Sequence, residues 1–83
     1  MKITVYGAAL SPFVEKTLRG IRRKGLEAEL VQPKSPADVK KWNPQTGKMP
    51  VADLDAERVY DSTFILRRLD ELVPEPPLLI AGR

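Results

Sequence analysis

Proline divides this chain more sharply than any other residue in it. Eight prolines fall among 83 residues, at positions 12, 33, 36, 44, 50, 74, 76 and 77. Inside a helix or a central strand, proline removes a backbone hydrogen bond, and it pushes the residue before it out of the helical region. Every regular element must therefore fit between these marks. Residues 2–6 alternate with β-branched and aromatic side chains, which predicts a strand. Ser11-Pro12 predicts a helix start, with Ser as N-cap and Pro at the first helical position. Val14, Leu18 and Ile21 follow at helical spacing, with Arg19, Arg22 and Arg23 largely off that face. Gly25 is placed to end the helix. Residues 28–31 read as a second strand.

Pro33 and Pro36 mark a loop, and Ser35-Pro36-Ala37-Asp38 predicts a second helix with an acid three residues after its cap. Pro44 ends it near Trp42, because it disfavours helix at Asn43. Residues 43–47 form a loop. Residues 51–54 and 58–60 flank a short polar turn and read as a hairpin. Asp61-Ser62 opens a last helix carrying Ile65, Leu66, Leu69 and Leu72, which Pro74, Pro76 and Pro77 close. The order is βαβαββα. Its first half is a βαβ unit, expected to be parallel and right-handed. A four-stranded mixed sheet with helices on both faces satisfies the order, giving an α/β class and one domain over residues 1–83.

Composition narrows the chemistry. The sequence contains no cysteine and no histidine. That rules out disulfides, a cysteine nucleophile and any metal site built on His or Cys. No metal is expected. The net charge of +3 is mild and suits attraction of small anions. Arg19, Arg22, Arg23 and Lys24 lack an aromatic platform or a nucleic-acid fold signature, so they read as a solvated helix face and no nucleic-acid partner is expected. The apolar stretch at residues 3–7 is too short for a signal peptide or a membrane span, so a cytoplasmic domain without a membrane partner is the expectation.

Three local motifs stand on this element order. Leu10-Ser11-Pro12-Phe13-Val14-Glu15-Lys16 lies at the turn into the first helix. Asn43-Pro44 followed by Gly47-Lys48-Met49-Pro50-Val51 precedes the third strand. Asp61-Ser62-Thr63 opens the last helix. In this order and spacing the chain resembles the N-terminal, thioredoxin-fold domain of soluble glutathione transferases, of a serine-type, bacterial-like kind. The resemblance covers nearly the whole chain. It implies a thioredoxin-like fold, glutathione as co-substrate, and residues 74–83 as linker to a helical domain that is absent here.

The resemblance also implies roles. Pro50 would follow a cis peptide bond, leaving the N–H and C=O of Met49 to pair with the cysteinyl backbone of glutathione as an added strand does. Ser62 would take the γ-glutamyl carboxylate and Asp61 would help with the ammonium group. Asp61 and Ser62 are also good capping residues, and a helix N-terminus attracts carboxylates. Lys34 and Lys48 could pair with the glycyl carboxylate, or could be solvated loop charges. Phe13 would flank the thiol site, or pack on the helix face.

Ser11 is the candidate catalytic group. With no cysteine in the chain, the thiol belongs to the ligand and Ser11 would activate it rather than attack. Ser11 acting only as a helix cap is the competing reading. Tyr6, near the end of the first strand, is a second candidate activator, because some transferase classes use a tyrosine hydroxyl there.

The resemblance implies attack of bound glutathione thiolate on an electrophilic carbon. In the family the electrophile site lies between two domains, so an isolated first domain is expected to bind glutathione weakly with little or no turnover. The alternative is a non-catalytic thioredoxin-fold interaction module. Either could engage a homodimer partner or a helical second domain, and the apolar Leu78-Leu79-Ile80 fits both.

Overall fold

The computed structural model describes residues 1–75. Leu78-Leu79-Ile80 and most of the expected linker lie outside the described residues. The elements are β1 (Ile3–Tyr6), α1 (Pro12–Arg23), β2 (Glu29–Val31), α2 (Pro36–Trp42), β3 (Val51–Leu54), β4 (Glu57–Tyr60) and α3 (Ser62–Leu72). The sheet order is β2-β1-β3-β4. β1 runs parallel to β2 and antiparallel to β3, and β3 is antiparallel to β4. This is the mixed, thioredoxin-like sheet that the βαβαββα order requires.

Strand alternation divides the side chains between two faces. Val5 pairs with Ala52 and Ile3 with Leu54. These four residues form one core with Val14 and Ile21 of α1 and Ile65 and Leu69 of α3. The two longer helices therefore share one face. Tyr6 and Asp53 point the other way. There the Trp42 ring, at the end of α2, lies 5.1 Å from the Tyr6 ring. Arg58 Nε donates to Asp53 Oδ1 at 2.8 Å, and its guanidinium carbon stands 4.9 Å from the Tyr6 ring centre. Trp42 thus anchors α2 on the second face. No described helix is long and apolar enough to cross a membrane.

The ends of the helices follow local chemistry, with three departures from expectation. α1 closes as a Schellman motif: Gly25, at φ +73, donates to Arg22 O, and Leu26 N–H reaches Ile21 O. Its start differs. Ser11 occupies the N-cap position, yet its side chain makes no capping hydrogen bond. The same holds for Ser35 on α2. The Asp38 carboxylate instead accepts from Lys34 N–H, one residue upstream of Ser35, at 2.8 Å. Lys24 also departs from the solvated face expected of it. It is buried, and its Nζ meets Asp70 Oδ1 at 2.7 Å and bonds Val73 O, joining the end of α1 to α3.

Gly7, just after β1, packs closely against Val14 of α1 and Met49 of the loop before β3. A Cβ at this position would stand 2.5 Å from Val14 Cγ2 and 3.4 Å from both Cβ and Sδ of Met49. Val14 is fully buried and β-branched, so it has little room to turn away. Gly7→Ala should therefore cost about 1–3 kcal/mol, the usual penalty of overpacking. Urea denaturation should show this as a lower midpoint at an unchanged slope.

Candidate functional site

An open cleft of about 480 Å³ lies beside the β3–β4 end of the sheet. Three segments line it. Phe13 comes from the first turn of α1. Asn43, Gln45, Thr46, Lys48, Met49 and Pro50 come from the loop between α2 and β3. Tyr60, Asp61, Ser62 and Phe64 come from the junction of β4 with α3.

The Met49-Pro50 peptide is cis. Pro50 O accepts from Asp61 N–H at 3.2 Å, which carries the β3–β4 ladder one step further and brings the loop against the start of α3. Among the described residues, neither the N–H nor the C=O of Met49 has a hydrogen-bond partner. Its sulfur accepts from Ala8 N–H at 3.2 Å, tying the loop after β1 to the cleft wall.

Asp61 caps α3: its carboxylate accepts from Thr63 N–H at 2.9 Å. Its backbone lies at φ +76, ψ 134, a region a non-glycine residue seldom occupies. Such outliers cluster where surrounding structure holds a residue in place for a ligand. Ser62 follows as the first residue of the helix and is buried, with its neighbours opening into the cleft. The cleft therefore offers backbone donors at a helix terminus on one wall and an unpaired strand-like peptide on the other.

Six of the residues singled out in the sequence come together here: Phe13, Lys48, Met49, Pro50, Asp61 and Ser62. Lys34 does not line this cleft. It lines a second hollow with Ser35, Val39 and Gly47, and that hollow shares Met49 with the first. Ser11 stands at the N-terminus of α1, two residues from Phe13, and is not among the lining side chains. Its hydroxyl has no hydrogen-bond partner among the described residues.

Tyr6 is drawn away from the cleft altogether. Its side chain is on the sheet face opposite α1, and its hydroxyl donates to Asp53 Oδ2 at 2.8 Å. That bond, reinforced by partial burial and the carboxylate charge, raises the Tyr6 pKa. The Asp53 carboxyl is held below its ordinary value, first by its hydrogen bonds from Arg58. The Tyr6 hydroxyl is thus committed to a carboxylate and does not line the cleft.

Sequence reasoning did not single out Asn43, Gln45, Thr46, Tyr60 or Phe64 as wall residues. Phe64 carried a signal. It falls off the Ile65, Leu66 and Leu69 face, and it is 55% exposed, like Phe13 at 61%. Gln45 and Thr46 carried none, because polar loop residues look alike until the loop is folded. Among the described residues, no group of three His, Cys, Asp or Glu converges to hold a metal.

Comparison with known proteins decides the family. The family described as "Glutathione S-transferase, N-terminal domain" matches residues 10–72. The chain belongs to that family. A glutathione transferase of Zea mays, GST 23, is 36% identical over 73 residues, covering 84% of this chain and 33% of its own length. A glutathione S-transferase of Methylobacterium radiotolerans, solved as a complex with glutathione sulfonate, is 36% identical. It covers 99% of this chain and 40% of its own, with a TM-score of 0.83. The Tau class glutathione S-transferase of mango, Mangifera indica, is 26% identical and covers 98% of this chain and 39% of its own, with a TM-score of 0.86. This glutathione S-transferase domain thus spans about a third of the length of the curated relative it matches.

Proposed function

We propose that this domain binds glutathione in the cleft between the Asn43–Pro50 loop and the start of α3. The observation that carries the reading is the pairing, across one cleft, of an unpaired peptide and the start of a helix. The free N–H and C=O of Met49 suit the cysteinyl backbone. The first turn of α3, with Ser62 and the Asp61 carboxylate, suits the γ-glutamyl carboxylate and ammonium. Lys48, on the loop wall beside Met49, suits the glycyl carboxylate. Lys34 reaches that end of the ligand only across Met49, from the neighbouring hollow. The Methylobacterium relative, solved with glutathione sulfonate, supports the same ligand class.

Within this reading the domain is of the serine type. Ser11 donates its hydroxyl proton in a hydrogen bond to the glutathione sulfur and stabilises the thiolate, with Phe13 flanking it. Lowering a thiol pKa from about 8.5 to about 6.5 takes ~2.7 kcal/mol. The N-terminus of a helix such as α1 contributes about 0.3–2 kcal/mol, and a hydrogen bond to a charged group about 1.5–3 kcal/mol. Together they suffice, and neither is ample alone. The thiolate pair then forms the sulfur–carbon bond to an electrophile, whose leaving group departs with its bonding electrons. Phe13 and Phe64 form an exposed apolar rim on the cleft, and Leu10, at 97% exposure, precedes the same helix as Phe13. A helical second domain or a second copy covers that rim and completes the electrophile side, so the domain alone turns over slowly or not at all. It acts in the cytoplasm.

A titration followed by amide chemical shifts tests the binding. At millimolar glutathione, the amides of Lys48, Met49 and Ser62 should move together with a single dissociation constant. A spectrum in which these three stay fixed would exclude the cleft as a glutathione site.

A further inference from the structure

Asn43 is one of the few buried polar residues of the domain, with 3% of its surface exposed. Burying an amide side chain is costly unless its groups are bonded. Every polar group of Asn43 is bonded, and nearly all of the partners lie in the loop that forms one cleft wall. Its side-chain oxygen accepts from Thr46 N–H at 3.3 Å. Its side-chain nitrogen donates to Thr46 Oγ1 at 2.8 Å and to Lys48 O at 3.3 Å. Its backbone O accepts from Gly47 N–H at 2.8 Å, while its N–H donates back to Val39 O of α2 at 3.0 Å. The loop from α2 to Met49 thus hangs on one residue.

The bond to Lys48 O has a consequence for the ligand side. Lys48 C=O and Met49 N–H belong to one peptide unit. That unit is trans, since Met49-Pro50 is the cis bond of the described chain. In a planar trans peptide the C=O and N–H point in opposite directions. Drawing the Lys48 oxygen inward onto Asn43 therefore turns the Met49 N–H outward, away from Asn43. We propose that Asn43 is a positioning residue, whose amide fixes the Lys48–Met49 peptide plane and so aims the Met49 N–H at the backbone of bound glutathione. The inference rests on the glutathione reading of the cleft. Asn43 lines the cleft, but it acts through the peptide it holds.

Asn43→Asp keeps the size and the acceptor for Thr46 N–H but replaces the donor facing Lys48 O with an oxygen. Asn43→Ala removes the amide without adding charge. Each should raise the glutathione Kd by tenfold or more in fully folded protein, measured well below the melting midpoint and with the Met49 amide as reporter. Ile21→Val, a core change in α1 remote from the loop, should leave Kd within twofold. That separates aiming from general loosening. A folded Asn43→Asp or Asn43→Ala protein that binds glutathione within twofold of the parent overturns the role while leaving the binding site standing. A parent protein that shows no glutathione-dependent shift overturns the site and this role together. The parent also gives a readout that requires no variant to fold. The Asn43 side-chain NH2 protons should exchange with water at least tenfold more slowly than those of the exposed Gln45. Equal exchange rates would overturn the proposal.

Discussion

Ser11→Ala should raise the thiol pKa of bound glutathione by about 1–2 units and leave the melting midpoint of the domain unchanged. The first half follows from losing one hydrogen bond to a charged sulfur, about 1.5–3 kcal/mol, at 1.36 kcal/mol per pKa unit. From a pKa of about 6.5, the thiolate fraction at neutral pH then falls roughly 3- to 25-fold. The second half follows from the structure of the helix start. A serine that caps a helix through its side chain costs about 0.5–2 kcal/mol when replaced by alanine. Ser11 sits at the N-cap position of α1 without that bond. Its replacement therefore removes nothing the helix uses. Ultraviolet titration of the bound thiolate, run beside thermal melts, reads both quantities on one pair of proteins. A melt that drops while the thiol pKa stays fixed would make Ser11 a structural cap and nothing more. The two readings of Ser11 thus predict opposite results in two measurements.

The same serine illustrates what sequence alone can reach. Ser11-Pro12 marks the start of a helix because proline at the first turn loses no hydrogen bond it could have made. That is local chemistry, and it placed α1 correctly. Whether the hydroxyl turns back to the helix or outward depends on a side-chain rotamer, which spacing does not record. The element order was readable for a similar reason. Each proline, and Gly25 with its left-handed φ of +73, acts on its own neighbours. Lys24 reads as a solvated helix residue in the sequence because its partner Asp70 lies 46 positions away, and only the packing of α1 on α3 brings them together. Tyr6 was ambiguous because a strand residue two places from another shares its face, but the sequence does not say which face meets the cleft. The pairing of Val5 with Ala52 in the core settles that, and turns Tyr6 toward Trp42. Asn43 was legible as a loop residue and illegible as a hub, since its partners Thr46 and Lys48 are polar residues in a polar loop. The recognisable motifs gave the two walls of the cleft, and long-range packing decided how each wall is held.

The largest change in stability is expected from Leu69→Ala. Leu69 is fully buried in the core that joins α1, α3 and the sheet. Truncating a buried leucine costs about 2–5 kcal/mol, through lost transfer energy and the cavity left behind. Native domains are stable by roughly 0.05–0.15 kcal/mol per residue, so a domain of this size has about 4–12 kcal/mol to lose. At about 4–8 °C per kcal/mol, the melting midpoint should fall by roughly 10 °C or more. This variant also probes the coupling of fold to site. α3 carries Leu69 in the core and Ser62 at the cleft, seven residues apart on one helix. Glutathione that binds the native state alone stabilises it by about 2.7 kcal/mol at a hundred times Kd. Saturating ligand should therefore restore much of the lost midpoint in Leu69→Ala. The ligand-induced rise in free energy should match that of the parent, because the cavity lies below the helix and the binding groups lie at its tip. Differential scanning fluorimetry with and without glutathione measures both. A smaller rise in Leu69→Ala than in the parent would mean that the tip of α3 loosens with its core. The start of the helix would then depend on packing as well as on the Asp61 cap.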